Sequence, residues 1–228
     1  MKKLFLALLA VGASAGAASA QVEIGLKLSP SVTNLRAESP SSLSFQNEKS
    51  KLTIGGGLIV DYFFGQNYAF STGLQLVGKG GTISFLDPIN DRRYEQKIGV
   101  QYLEVPVSVK LFTNDITTDT KLYFQLGGTL GGAIAAKIDG NKRYISPTVV
   151  TSTGNQETKA LDHVITPEIA ALLGFGVEYQ VGQSTKVLAG LSYHRGLLNV
   201  DEYFEDSRKF SDVNLKNSEF ALDLGLKF

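Results

Sequence analysis

Three polar side chains in the last quarter of the chain have residue types that could perform nucleophilic catalysis. Ser192 and His194 share one face of a segment with period-two hydrophobicity, and Glu178 lies on the same face of the preceding segment. A serine that a histidine deprotonates, with a carboxylate that orients the histidine, is an arrangement used for acyl transfer. A Ser/His/Glu cluster is therefore geometrically possible. Whether it could act on a substrate depends on which side of the folded protein these segments face.

The other chemical patterns are weaker. The stretch "GASAG" at residues 12–16 matches a nucleophile elbow but lies in the N-terminal leader, and "GGTLGG" lacks the Lys-Ser/Thr that follows a phosphate-binding loop. His163 stands alone in a polar connection, and a chain with two histidines and no cysteine has no metal-binding signature. We expect no cofactor, no metal and no enzymatic activity.

Composition restricts the partners. Twenty-two basic residues balance twenty-two acidic ones, which removes the electrostatic argument for a nucleic-acid partner. Without cysteine there is no disulfide framework and no thiol nucleophile. The length suits one domain with a large interior, and 24 glycines favour strands and turns.

The first twenty residues have the three parts of a secretory signal peptide. "MKK" is a basic start, an apolar stretch follows, and Ala18-Ser19-Ala20 is an A-x-A cleavage site. We expect cleavage after Ala20, so that residues 1–20 are a signal peptide and residues 21–228 form the mature domain.

Eight segments of the mature chain alternate apolar and polar residues with the period of a β-strand. They cover residues 22–28, 52–64, 68–76, 103–111, 122–134, 165–179, 187–193 and 220–228. Short connections join the second to the third, the fourth to the fifth and the sixth to the seventh. Long polar connections, at residues 33–49, 78–96, 137–163 and 199–217, alternate with them. This layout predicts an all-β fold, an eight-stranded antiparallel up-and-down transmembrane β-barrel of the outer-membrane type.

Aromatic residues cluster at the strand ends next to the short turns, as in an interfacial girdle. This group contains Tyr62, Phe63, Phe64, Tyr68, Phe70, Phe112, Tyr123, Phe124, Tyr179 and Phe228, and a second group near the long connections contains Tyr102, Tyr193 and Phe220. The period-two pattern also predicts a closing ladder between residues 22–28 and 220–228. The terminal Phe228 resembles the C-terminal aromatic that the barrel-assembly machinery of the outer membrane reads.

The polar face of the strands carries charges that a membrane barrel must turn inward. We predict a polar plug of the lumen, formed by Glu23, Lys27, Asp61, Glu104, Lys110, Glu168, Glu178, His194, Asp223 and Lys227. Carboxylates outnumber lysines in this set, so some must meet other cations, water or a proton. Pro106 lacks an N–H in a barrel without edges, and we expect it at a bulge or beside a bonded water.

The stretch "YLEVPVSVKLF" at residues 102–112 resembles the YLEIP-x-x-x-K signature of the PorT-type outer-membrane β-barrel family. The leader, the length and the final aromatic agree with that family in outline. The resemblance implies a small barrel of the OmpA-like or porin-like superfamily in the cell outer membrane, and we do not carry over the secretion role that gives the family its name.

We therefore expect a non-enzymatic barrel that presents long extracellular loops for a structural, adhesion or envelope-assembly and secretion role. Its expected partners are outer-membrane lipid, the barrel-assembly machinery and a surface or secretion-system protein. The alternatives are a small passive pore, an outer-membrane lipid-editing enzyme and a soluble secreted barrel. Lipid editing would need catalytic groups that reach the lipid, whereas Ser192 and His194 would face the lumen.

Overall fold

A computed structural model of the protein describes residues 22–87, 91–145, 157–202, 204, 210 and 212–228. Its strands are β1 (Val22–Glu38), β2 (Gln46–Gly65), β3 (Tyr68–Asp87), β4 (Arg92–Phe112), β5 (Thr120–Ile138), β6 (Arg143–Ile145), β7 (Glu157–Lys159), β8 (Pro167–Gln180), β9 (Lys186–Gly196) and β10 (Asn214–Lys227). Two 3-10 helices cover Ser41–Leu43 and Ala160–His163. Across the described ranges, no helix is long and apolar enough to cross a membrane. The predicted signal peptide at residues 1–20 lies outside them.

Eight of these strands close into an antiparallel barrel in the order β1-β10-β9-β8-β5-β4-β3-β2, while β6 and β7 form a separate hairpin. The predicted fold class is thus confirmed. The seam between β1 and β10 pairs Leu28 with Leu224 and Val32 with Phe220, and it continues to Glu38 and Asn214. The predicted closing ladder is therefore correct and extends further than the sequence pattern indicated.

The short connections and both ends of the described chain lie at one end of the barrel, which we call the inner end. The other end is the outer end. Two predicted outer loops are wrong in extent, because β1 continues to Glu38 before β2 begins at Gln46, and β3 continues to Asp87 before β4 begins at Arg92. Most of residues 33–49 and 78–96 is therefore strand. Parts of the connections at 137–163 and 199–217 lie outside the described residues.

These loop predictions failed because the hydrophobic face of the strands reverses along their length. In β4, Leu103 and Val105 point outward and are 40% and 39% exposed, whereas Val100 and Tyr102 point inward and are 3% and 0% exposed. The inner part of each long strand has the apolar-out pattern of a membrane barrel, and the outer part has the apolar-in pattern of a water-exposed one. The reversal marks the level at which the barrel leaves the lipid.

Inward-facing apolar side chains fill the outer end of the barrel. The buried cluster contains Leu35, Leu43, Ile83, Phe85, Ile98, Val100, Tyr102, Ala133, Ala136, Ile138, Ala160, Val164, Val200, Phe204, Val213 and Leu215. At its centre Phe85 lies 5.0 Å from Phe204 and 5.4 Å from Phe45, measured between ring centroids. We call this cluster the outer core, and it closes the lumen at that end.

Most of the predicted girdle aromatics face outward. Tyr62, Phe64, Tyr68, Phe70, Phe124, Tyr179 and Phe228 are each at least 40% exposed, as is Phe220 near the long connections. The prediction is wrong for Phe112, Tyr123 and Tyr102, which are buried in the lumen, and for Phe63, which packs against the first two of these. These four residues lie at positions of their strands that face the lumen. The girdle prediction used only the distance from a strand end, so it could not separate them from outward-facing aromatics.

Pro106 is not at a bulge, the first of the two settings predicted for it. It pairs with Thr129 of β5 in normal register. Toward β3 the ladder is interrupted between the pairs Thr72–Val107 and Gln75–Glu104, and the register is the same on both sides of the interruption. The missing N–H of the proline thus interrupts the ladder locally without inserting an extra residue into the strand.

Candidate functional site in the barrel lumen

The inner half of the lumen holds a charge-balanced group of ion pairs. Lys227 Nζ lies 2.9 Å from Asp61 Oδ2, 2.7 Å from Glu178 Oε2 and 2.7 Å from Glu23 Oε2. Lys110 Nζ is also 2.9 Å from Asp61 Oδ2, and Lys186 contacts Glu23. Three lysines therefore face three carboxylates, and we call this group the inner cluster. Because Lys227 and Asp61 are fully buried, each depends on the others to offset its lost hydration.

Aromatic rings pack around the inner cluster. Lys227 Nζ lies 5.7 Å from the Phe112 ring centroid and 5.8 Å from that of Phe63, and Lys110 Nζ lies 5.2 Å from that of Tyr123. These distances are in the range of cation–π attraction. The rings thus favour the ammonium groups and occupy volume that water would otherwise fill.

Tyr123 fits in the lumen because the facing positions have no side chain. A Cβ atom added to Gly176 would lie 2.6 Å from the Tyr123 hydroxyl oxygen, and one added to Gly190 would meet the same oxygen at a still shorter separation. Glycine on two neighbouring strands therefore makes room for one large ring on a third.

The middle of the lumen contains a separate pair. Lys27 Nζ lies 3.1 Å from Asp223 Oδ1, to which Ser29 Oγ donates a hydrogen bond of 2.6 Å. A cavity of about 20 Å³ between this pair and Lys110 has room for roughly one water molecule. His194 also lines this cavity, and it is 4% exposed.

A second group, the outer cluster, contains more carboxyl groups than lysines. Lys79 Nζ lies 2.6 Å from Glu104 Oε1, 3.3 Å from Glu168 Oε2 and 3.9 Å from Glu219 Oε2. All four side chains are almost fully buried, and Asn217 Nδ2 donates to Glu168 at 3.1 Å. One lysine thus faces three carboxylates directly beneath the outer core.

The ten predicted plug residues all lie on strands of the barrel and face its lumen, but they form three groups. Glu23, Asp61, Lys110, Glu178 and Lys227 belong to the inner cluster, Lys27, Asp223 and His194 to the middle, and Glu104 and Glu168 to the outer cluster. Phe228 lies at the inner end of the seam, is 55% exposed and exchanges backbone hydrogen bonds with Ile24.

The possible Ser/His/Glu cluster does not form. Glu178 pairs with Leu188 on β9, four residues from Ser192, which corresponds to about 13 Å along the strand. Its carboxylate is held by Lys227 in the inner cluster. Ser192 and His194 are both buried inside the barrel.

Three ionic residues of the lumen, Lys79, Glu219 and Lys186, are absent from the predicted plug. Lys79 faces inward like Ser71 and Gln75 but lies beyond residue 76, where the predicted third segment ends, and it is the lysine of the outer cluster. Glu219 precedes Asp223 by four residues on the inward face of β10, and Lys186 begins β9. Extending the period-two reading into the polar flanks would have found all three.

The described residues include no group of three or more His, Asp or Glu side chains that could hold a metal ion. His163 does not stand apart from other polar groups, since its Nε2 lies 2.6 Å from Thr158 Oγ1.

At the inner end, a vestibule of about 250 Å³ is lined by Phe63, Phe112, Glu178 and Lys186 among others. It is open at the inner end of the barrel, and its floor is formed by the rings that surround the inner cluster. Ion pairs therefore fill the inner half of the lumen, and the outer cluster and the outer core fill its outer half. Between them lies a pocket with room for about one water molecule.

The chain matches a known family of outer-membrane proteins. A profile of the family described as outer membrane protein beta-barrel domain matches residues 14–202. Similar solved structures include Neisserial surface protein A (12% identity, TM-score 0.47, covering 91% of this chain and 97% of that one) and OprG of Pseudomonas aeruginosa (11%, 0.49, 92% and 96%). Another is Ail of Yersinia pestis (14%, 0.43, 91% and 98%). No curated protein sequence matches the chain. The protein is an outer-membrane barrel in contact with outer-membrane lipid, and the chain belongs to the outer membrane protein β-barrel domain family.

Proposed function

We propose that the protein is a non-enzymatic barrel that works through its outer segment, in a structural, adhesion or envelope-assembly and secretion role. The observation that carries this proposal is the filled lumen. Ion pairs occupy its inner half, and the outer core closes its other end. A barrel without a through-path offers its surface to partners, and its outer end is the part that projects from the membrane.

The length of the strands supports an outer working surface. Strands β2 to β5 contain 20, 20, 21 and 19 residues, whereas about 9–11 tilted residues suffice to cross a bilayer. The remaining residues continue beyond the reversal of the hydrophobic face and form a sheet with its own apolar core. This rigid extension would hold the outer connections away from the lipid for contact with a partner.

Thiol labelling of intact cells tests whether the outer end of the barrel faces the cell exterior. The method is suitable because the natural chain has no cysteine. We expect a membrane-impermeant maleimide to label Lys142→Cys, which lies in the connection after β5, on intact cells. Asp115→Cys, in the short connection between β4 and β5, should react only after the outer membrane is opened. The opposite pattern of labelling would overturn the proposal.

The alternatives are less compatible with the lumen. A passive pore would have to pass the buried Lys227 and Lys79 groups, and a lipid-editing enzyme would need its nucleophile at the lipid face rather than inside. Lipid editing would be supported only if Ser192→Ala abolished a lipid modification that the natural protein causes. A soluble secreted barrel is excluded by the outer-membrane location and by the apolar outward face.

We also propose the finer assignment to the PorT-type family. Tyr102, Glu104 and Lys110 of the "YLEVPVSVKLF" stretch all face the lumen, where Glu104 belongs to the outer cluster and Lys110 to the inner cluster. The motif would then specify a strand that joins both clusters. Phe228 at the end of the seam is proposed to be the signal that the barrel-assembly machinery recognises, and truncation of this residue should reduce assembly into the outer membrane.

A further inference from the structure

Three lysines surround one glycine on the outer face of the barrel wall. Lys51 Nζ lies 2.5 Å from the place that a Cβ of Gly99 would occupy, and Lys137 pairs directly with Gly99 across the β4–β5 ladder. Lys97 is two residues from Gly99 on the same face of β4. We call Lys51, Lys97 and Lys137 the outer lysine triad.

A local break in the sheet places Lys51 in this position. The β2–β3 ladder stops at the pair Ser50–Gly81 and resumes at Gly56–Leu76 with a shifted register. Within the break, Thr53 Oγ1 of β2 donates to Gly78 O of β3 at 2.7 Å. In this segment a side chain of β2, and not its backbone, bonds to β3.

Glycines then leave a path for the lysine side chain. Gly80 of β3 has φ of 128°, in the region that favours glycine, and it pairs with Gly99 of β4. Because neither residue has a side chain, Lys51 can extend across β3 and place its ammonium group over β4.

The triad has no compensating carboxylate among the described residues. Lys97 and Lys137 are near enough to Lys51 to repel its charge, and Lys51 is half-buried. Asp139 Oδ1 accepts the Lys97 backbone N–H at 2.8 Å but is in no ion pair with a triad lysine, and Glu95 lies 4.0 Å from Lys49. Three like charges that converge in this way favour a bound anion.

The triad lies just beyond the lipid-facing surface. Leu103 of β4 and Ile134 of β5 are the last large apolar side chains that point outward before the triad. Leu52 and Ile54, next to Lys51 in the break, are 82% and 72% exposed, as expected for side chains in contact with acyl chains. Lysine side chains at this level extend toward the headgroup phosphates of the outer leaflet.

We propose that the outer lysine triad binds the phosphate groups of a phosphorylated lipid in the outer leaflet of the outer membrane. The acyl chains of that lipid lie against the exposed apolar side chains of β2, and its phosphates sit over Gly99. This site is independent of the partner surface at the tip of the barrel.

The test measures lipid binding to purified, folded protein in detergent by native mass spectrometry, with diphosphorylated lipid A as the probe and its dephosphorylated form as comparison. We expect tighter binding of the phosphorylated form. The variant K51Q/K97Q/K137Q should bind it more weakly by roughly fivefold per lysine, which is on the order of a hundredfold in total. Folding of each variant is checked by its mobility on gels before and after heating.

A matched control removes the same net charge elsewhere. Lys142 and Lys159 are exposed, and Lys121 is a partly exposed lysine at the inner end, so K121Q/K142Q/K159Q should keep most of the binding. The charge-preserving variant K51R/K97R/K137R should also bind, because guanidinium groups pair well with phosphate, and it remains a test if the glutamine variant does not fold. Equal binding of both lipid forms, an equal loss in the control, or loss in the arginine variant would overturn the proposal.

Discussion

Lys227 is the residue on which the inner cluster depends most, since it contacts Asp61, Glu178 and Glu23 at once. Removal of one partner from a buried ion pair leaves uncompensated charge, which typically costs about 3–5 kcal/mol. We expect Lys227→Met to lower the free energy of unfolding by about that amount, measured by urea unfolding in lipid or detergent. The control is Lys216→Met, whose partner Glu38 is solvent-exposed, with an expected loss below about 1 kcal/mol. Equal effects of the two variants would contradict the account.

In the outer cluster, two Glu-to-Gln substitutions should change the stability of the barrel in opposite directions. Of the three contacts that Lys79 Nζ makes in this cluster, the one to Glu219 Oε2 is the longest, at 3.9 Å. Glu219→Gln removes an excess carboxyl group, so we expect the urea midpoint to rise. Glu104 lies 2.6 Å from Lys79, and Glu104→Gln should lower the free energy of unfolding by about 3 kcal/mol. A lower midpoint for Glu219→Gln would show that the excess of carboxyl groups is compensated in another way.

At the scale of the strand, the reversal of the hydrophobic face can be tested at Phe85, which is 1% exposed at the centre of the outer core. Phe85→Ala removes a ring from a packed cluster and should cost about 3–5 kcal/mol. The loss should concentrate in the outer segment, so hydrogen exchange should rise in the outer parts of β3 and β4 while the inner parts stay protected. Leu197→Ala, at a 52% exposed position directly after β9, is the control. Uniform loss of protection along both strands would contradict a separate outer core.

The same reversal explains which strand boundaries could be predicted from sequence. The lipid-facing sections, such as Leu103 to Leu111, follow one simple pattern because lipid demands apolar residues on one face only. The outer sections carry Ile83 and Phe85 on the other face, so a reading that follows a single parity ends too early. Lys79 was missed for this reason, since it lies between the two patterns.

At the scale of the whole molecule, strand number, antiparallel order and the closing seam follow from the alternation of short and long connections. How the lumenal charges group into clusters could not be predicted in this way, because it depends on which strands meet across the lumen. Lys227 from the last strand and Asp61 from the second are an example. The break between β2 and β3, which turns Lys51 toward Gly99, likewise has no signal in the period-two pattern.

Single-channel recording in a planar bilayer tests the central claim that the lumen is closed. The natural protein, inserted at low density in high salt, should give no conductance steps, because the inner cluster and the outer core block the path from end to end. Reproducible steps of a single size from the folded natural protein would contradict the account and favour the small pore.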